Sequence, residues 1–175
     1  MSDDAKIPVS KSPFWRFSVK FYAVPGVAPA CIELQDRAGV DVNVLFFLLW
    51  NATLRRSFNH EQIADIERKI GAWRDMTVVP LRAVRRALRA PPPAIASDIA
   101  EGFRSRIKAV ELEAERLQQE ALYELAQSSP IGESATSPEE AARRSVAAYE
   151  AVLRPFPKPS LEAVLGAFSS FKSAE

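Results

Sequence analysis

DVNVLFFLLWNATL, residues 41–54, is the stretch from which the fold of this chain can be read. Ten of the thirteen residues after Asp41 are apolar, and Val44–Trp50 is an unbroken apolar run of seven. A helix that is apolar on every side must be covered on every side. The run falls far short of the roughly 20 residues that cross a bilayer, so it is predicted to be a central buried helix. Asp41 is placed to cap it, with Val40 and Leu45 as a hydrophobic staple.

On the N-terminal side, residues 1–12 read as a flexible tail that ends in Ser12-Pro13, an N-cap followed by a proline at the first helical position. The helix from Pro13 to about Ala23 carries Phe14, Phe17 and Phe21 on one stripe. Pro25-Gly26 breaks it, and a second helix over about 27–38 buries Val27, Ala30, Cys31 and Leu34 before Gly39 stops it. Beyond the central helix, Asn59 and Gln62 form a capping box for a helix with Ile63, Ile66, Ile70 and Trp73 on one face. Thr77 is predicted to cap a fifth helix, to about Ala90, that sets Leu81, Val84 and Leu88 against Arg82, Arg85, Arg86 and Arg89.

After the stiff Pro91-Pro92-Pro93 connector comes the longest helix, about Ser97 to Gln127. Ile99, Phe103, Ile107, Val110, Ala114, Leu117, Ala121 and Leu125 recur with a period near 3.7, the mark of an amphipathic helix. Its length of about 46 Å exceeds what a domain with a radius of gyration near 16 Å can cover. Ser128–Thr136 reads as a polar loop, and Ser137-Pro138 opens a helix to about Leu153. That helix is predicted to fold back on the long one through Ala142, Val146, Tyr149 and Leu153. Ser160 caps a last short helix. With no alternating strand pattern and no repeat, the chain is predicted to be all-α. It is a single helical domain over 13–172, a five-helix part (13–90) and then the long helix with covering helices (97–172), packed around one buried central helix.

The 175 residues hold 23 Lys and Arg against 22 Asp and Glu, net +1, so no whole-protein field points to nucleic acid or membrane. Charge is uneven along the chain: residues 53–108 carry twelve basic and six acidic groups, residues 109–175 six and eleven. Neutralisation between neighbouring helices is expected, with Glu111 and Glu115 set opposite Arg82, Arg85 or Arg86. An exposed anion- or partner-binding stripe of Arg82, Arg85, Arg86 and Arg89 is the alternative. A lone cysteine, Cys31, leaves no internal disulfide, and the polar start MSDDAKIPVSKS lacks the apolar core of a signal peptide, so a cytoplasmic protein is expected.

Chemistry is sparse. One His and one Cys cannot build zinc or haem sites of usual composition, and neither a nucleophile elbow nor a Gly-rich phosphate loop is present. No catalytic residue, metal site or cofactor is therefore expected. His60, in the first turn of a charged helix, is expected in solvent, and Cys31 on an apolar face is expected to be an inert buried thiol. The polar residues around the central helix suggest caps that bond the free backbone groups of the corner. The sharper reading is a ligand pocket of Gln35, Asp36, Asn43, Trp50, Trp73 and Arg74, walled by Trp15, Trp50 and Trp73. Asn51, if buried, needs a partner.

The stretch from Pro13 to Trp50, with LQD-x-x-G-x-DVN at residues 34–43, resembles a family of small, mainly proteobacterial proteins described as a domain of unknown function. W-R-x-x-x-V-x-PLR at 73–82 and KAVELEAERL at 108–117 extend the resemblance to about Gln127. It implies a cytoplasmic, helical, single-domain protein and brings no activity with it. The leading expectation is a non-enzymatic module for a protein or small-molecule partner. An enzyme or ligand sensor using the pocket above is the alternative, and nucleic-acid binding through the arginine stripe is weaker. A monomer is favoured, with a homodimer through the long helix as the other possibility.

Overall fold

A computed structural model describes residues 12–128 and 131–172. The elements are α1 (Pro13–Tyr22), α2 (Val27–Ala38), α3 (Val42–Thr53), β1 (Arg56–Ser57), α4 (His60–Trp73), α5 (Val79–Ala87), α6 (Ser97–Ser128), β2 (Glu133–Ser134), α7 (Pro138–Val152) and α8 (Lys158–Lys172). The all-α architecture is as expected, and α3 is its centre: every residue from Asn43 to Ala52 is buried. Its N-terminus is closed by Asp41, whose Oδ1 accepts from the Asn43 N–H at 2.9 Å. The capping box of Asn59 and Gln62 forms at α4, and Gly39 ends α2 at φ 72°, a left-handed backbone that glycine adopts without cost.

Helices α1, α6 and α7 lie against α3, α8 lies along α2, and α4 packs on α7. Phenylalanines tie these layers together: Phe21 meets Phe46, Phe168 and Phe171 edge-on at 5.2 to 6.3 Å, and Phe14 packs on Phe47 and Trp50 at 5.6 Å. Burying these rings supplies the main driving force for the bundle.

Several expectations are corrected. Thr77 does not cap a separate helix; it donates to the Trp73 carbonyl at 2.7 Å, and a π-helical turn over Arg74–Val78 joins α4 to α5 without a break. Pro80 has no N–H for the Met76 carbonyl, and the wider turn accommodates its ring within a continuous helix. β1 and β2 pair antiparallel, Arg56 with Ser134 and Ser57 with Glu133, a bridge too short to show an alternating pattern. Ser160 lies inside α8, where its hydroxyl donates to Glu33 instead of capping. The expected tail falls outside the described residues except for Ser12, which is buried and accepts from the Trp15 N–H at 3.1 Å.

The largest correction concerns α6 and its cover. Helix α7 buries Ala142, Val146 and Tyr149 as expected, but its main neighbours are α3 and α4, not α6. The face that α6 turns inward is built from Ala100, Glu111, Ala114, Gln118, Gln119 and Leu122. The apolar row read from the sequence lies about a quarter turn away at 100° per residue. Ile99, Phe103, Val110 and Leu117 are 66, 44, 52 and 40 % exposed. Helix α5, which has no buried residue, lies beside α6, where Arg82 and Arg85 meet Glu111 and Glu115 near its middle.

Candidate functional site

Two features of this fold could carry function: a polar junction under the N-terminus of α3 and the open face of α6. At the junction, four helices each contribute groups to one network. The buried Tyr149 of α7 accepts from the Asp41 backbone N–H at 3.0 Å and donates to Glu67 Oε1 of α4 at 2.5 Å. Arg74 reaches Glu67 Oε2 at 2.6 Å and Asp41 Oδ2 at 3.4 Å. Gln118 of α6 donates to Asp41 Oδ2 at 2.6 Å, and Gln119 donates to Asn43 Oδ1 at 2.8 Å.

The electrostatics follow from this geometry. Burial pushes the Asp41 carboxyl above its ordinary value, and the bond from Gln118 and the charge of Arg74 only partly oppose it. Arg74 sits closer to Glu67 than to Asp41, which is why its pull on Asp41 is incomplete. The Arg74 guanidinium itself loses solvation, but the bond and charge of Glu67 hold it more firmly protonated than usual. Burial, together with the neighbouring Glu67 and Asp41, raises the Tyr149 hydroxyl well above the ordinary range. The groups therefore saturate one another. Gln119 Oε1 is the exception at this junction, being buried without a hydrogen-bond partner.

The six residues of the expected pocket divide among three places. Asn43 and Arg74 belong to the junction, and Trp73 lies beside it, with its indole N–H on the Ala114 carbonyl at 2.9 Å. Gln35 and Asp36 sit on the outer side of α2, where Asp36 meets Arg86 at 3.0 Å. Trp50 is at the other end of α3, packed on Phe14, Phe47 and Tyr123. It lines a cavity of about 160 Å³ together with Asn51, Leu54, Arg56, Ala126, Gln127 and Ile131. Asn51 finds its partner in the Phe47 carbonyl at 2.9 Å. Sequence reasoning misses Gln118, Gln119, Glu67 and Tyr149 as neighbours of Asp41; each sits on a helix whose apolar periodicity carries no signal for a polar contact. Asn43 bonds these glutamines with its side chain, not the backbone groups of the α2–α3 corner.

The arginine stripe is largely neutralised within the chain. Arg82 meets Glu111 at 3.1 Å and Glu115 at 2.7 Å, Arg85 pairs with Glu111, and Arg86 pairs with Asp36. Burial raises the Glu115 carboxyl, with Arg82 opposing that rise. Arg89 is exposed. His60 is exposed as expected, and burial pushes the Cys31 thiol up to about 12, which leaves it protonated and unreactive at neutral pH. Among the described residues no group of three or more His, Cys, Asp or Glu could hold a metal ion, and no helix is long and apolar enough to cross a membrane.

The open face of α6 is the second feature. Phe103, Val110 and Leu117 follow one another at seven-residue intervals, and Arg106, Glu113 and Glu120 interleave with them at the same spacing. That alternation of three and four has the spacing of a coiled-coil seam, with charged side chains at every second position where a full seam would be apolar. Arg106 lies over the Phe103 ring at 5.6 Å, and Glu113 meets Arg116 at 2.7 Å, so the charges on either side of Val110 already have partners within the chain. Leu112, 54 % exposed, stands alone off this seam.

The stretches 34–43 and 73–82, far apart in sequence, meet at the junction through Asp41, Asn43, Trp73 and Arg74. No curated protein and no solved structure matches the chain. Over residues 13–122 it matches the family described as "Protein of unknown function (DUF2390)", and it belongs to that family.

Proposed function

We propose that this protein is a cytoplasmic, non-enzymatic binding module that docks a helical segment of a polypeptide on the open face of α6. The carrying observation is the inversion on that helix: Ile99, Phe103, Val110 and Leu117 face outward while Gln118 and Gln119 are buried and bonded to the body. An extended exposed apolar row with ordered charges on its flank is what a helix-docking surface requires. The occupant this face fits is an amphipathic helix, acidic where it meets Arg106 and basic where it meets Glu113, Glu120 and Glu124.

The same geometry sets the other readings lower. An enzyme or ligand sensor built on Asn43 and Arg74 would work through groups that are directed at Asp41, Glu67 and Gln118. Nucleic-acid binding through the arginine stripe would draw on guanidinium groups that already hold carboxylates. We also propose that the 34–43 and 73–82 motifs mark this proteobacterial family because together they build the junction that fixes α6 against α3.

A photo-crosslinking side chain placed singly at Phe103 and Leu117, with Leu112 and Met76 as exposed controls, tests the module. Polypeptide adducts from the two seam positions and not from the controls are expected in the expressing cell. Equal labelling from Leu112 and Met76, or no adduct at either seam position, overturns the reading.

A further inference from the structure

The charge pattern of the α6 seam specifies the occupant more narrowly, and this step rests on the helix-docking reading above. Towards its N-terminal end the open seam of α6 carries Arg106. Towards its C-terminal end the seam carries Glu113 and Glu124, with the half-buried Glu120 between them, while Glu111 and Glu115 turn to Arg82 and Arg85 of α5. The seam therefore runs from basic at Arg106 to acidic beyond it. The helix it complements must run from acidic to basic in the same direction, which is α6 itself turned end for end.

We infer that the face is occupied by α6 of a second copy of this chain, packed antiparallel about a two-fold axis near Val110. A parallel pair would set Arg106 on Arg106 and Glu113 on Glu113, repelling in both layers. In the antiparallel pair the Arg106 of each chain comes within a turn of the partner's Glu113, joining the Arg116 that already holds this carboxylate at 2.7 Å, and the two contacts are equivalent by symmetry. Phe103 and Leu117 then cover one another on either side of Val110. The seam alternates apolar and charged positions, so it yields a reversible dimer and not an obligate one.

Charge reversal gives a test that a merely structural role of these residues could not mimic. Arg106→Glu and Glu113→Arg both alter exposed side chains. Because Glu113→Arg also removes the ion-pair partner of the nearly buried Arg116, circular dichroism of both variants is read first, and Val110→Asp is the probe that leaves that pair intact. Sedimentation velocity across a concentration series is expected to show the unaltered full-length chain in monomer–dimer exchange. Each single variant should associate at least about tenfold more weakly, because like charges then face one another in both layers. Mixing the two variants should restore association as a mixed dimer. At one of its sites the introduced glutamate meets the introduced arginine, and at the other the native Arg106 and Glu113 meet as before; native mass spectrometry of the mixture counts it. A chain that stays monomeric, a dimer indifferent to both reversals, or a mixture no tighter than either variant overturns the inference. Val110→Asp is the second probe and should abolish the dimer outright, and a dimer that survives it also overturns the inference. Seam-specific crosslinks to other polypeptides from a chain that stays monomeric would leave the docking reading standing and remove this one.

Discussion

Helices α3 and α6 both carry rows of apolar residues, and the fold treats them in opposite ways. In α3 the residues from Asn43 to Ala52 are all buried, two asparagines included. In α6 the row is open at Ile99, Phe103, Val110 and Leu117, and the inward face holds Glu111, Gln118 and Gln119 beside Ala100, Ala114 and Leu122. The difference shows that a hydrophobic pattern specifies which face of a helix wants cover, not which cover it gets. Helix α3 has no alternative, because every orientation buries something apolar. Helix α6 has two faces to offer, and the mixed one is buried: Ala100, Ala114 and Leu122 pack there, while Asp41, Asn43, Arg82 and Arg85 supply partners for nearly all of its polar groups.

The contrast can be tested from its strongest side downward. Phe46→Ala or Leu49→Ala should cost about 2–5 kcal/mol in denaturant melts, as deletions in a close-packed core do. A loss below about 1 kcal/mol would mean that α3 is not the centre on which the bundle rests. Tyr149→Phe comes next, at about 1–3 kcal/mol, because it leaves the buried Asp41 N–H and the Glu67 carboxylate without their shared hydroxyl. A neutral result would show that water replaces the hydroxyl and that the junction is wetter than its packing indicates.

Asp41→Asn probes the same junction through pH. Burial lifts the folded-state value of Asp41 above 3.8, so its proton is held more tightly in the folded chain than in the unfolded one. The stability linked to that proton is fully present below the unfolded value and is lost as pH rises through the folded value. Asparagine removes this dependence. The stability deficit of the variant should therefore shrink as pH rises above about 4, read from urea midpoints at each pH. A deficit that grows with pH would show that the ionised carboxylate is the favoured form at the junction.

The smallest effect is expected on α6. Phe103→Ala should change the stability of the dilute monomer by no more than about 0.5 kcal/mol, because the ring has little packing to lose. A cost comparable to that at Leu49 would place Phe103 inside a core and erase the contrast between the two helices.

What the amino-acid order determined by itself is whatever depends on neighbours a few residues apart. The unbroken Val44–Trp50 run required a fully covered helix, Asp41 and the Asn59–Gln62 pair marked helix starts, and Gly39 marked an end. The opposition of Arg82 and Arg85 to Glu111 and Glu115 was also legible, since a basic and an acidic helix in one small body relieve each other's repulsion. Only the tertiary structure decided that Tyr149 closes the junction from 108 residues away and that Gln118 and Gln119 are its floor. It also decided that α7 covers α3 and α4 and leaves the α6 seam open. The physical reason is that a buried hydrogen bond depends on the position of both its ends, while periodicity along one helix records the direction of only one.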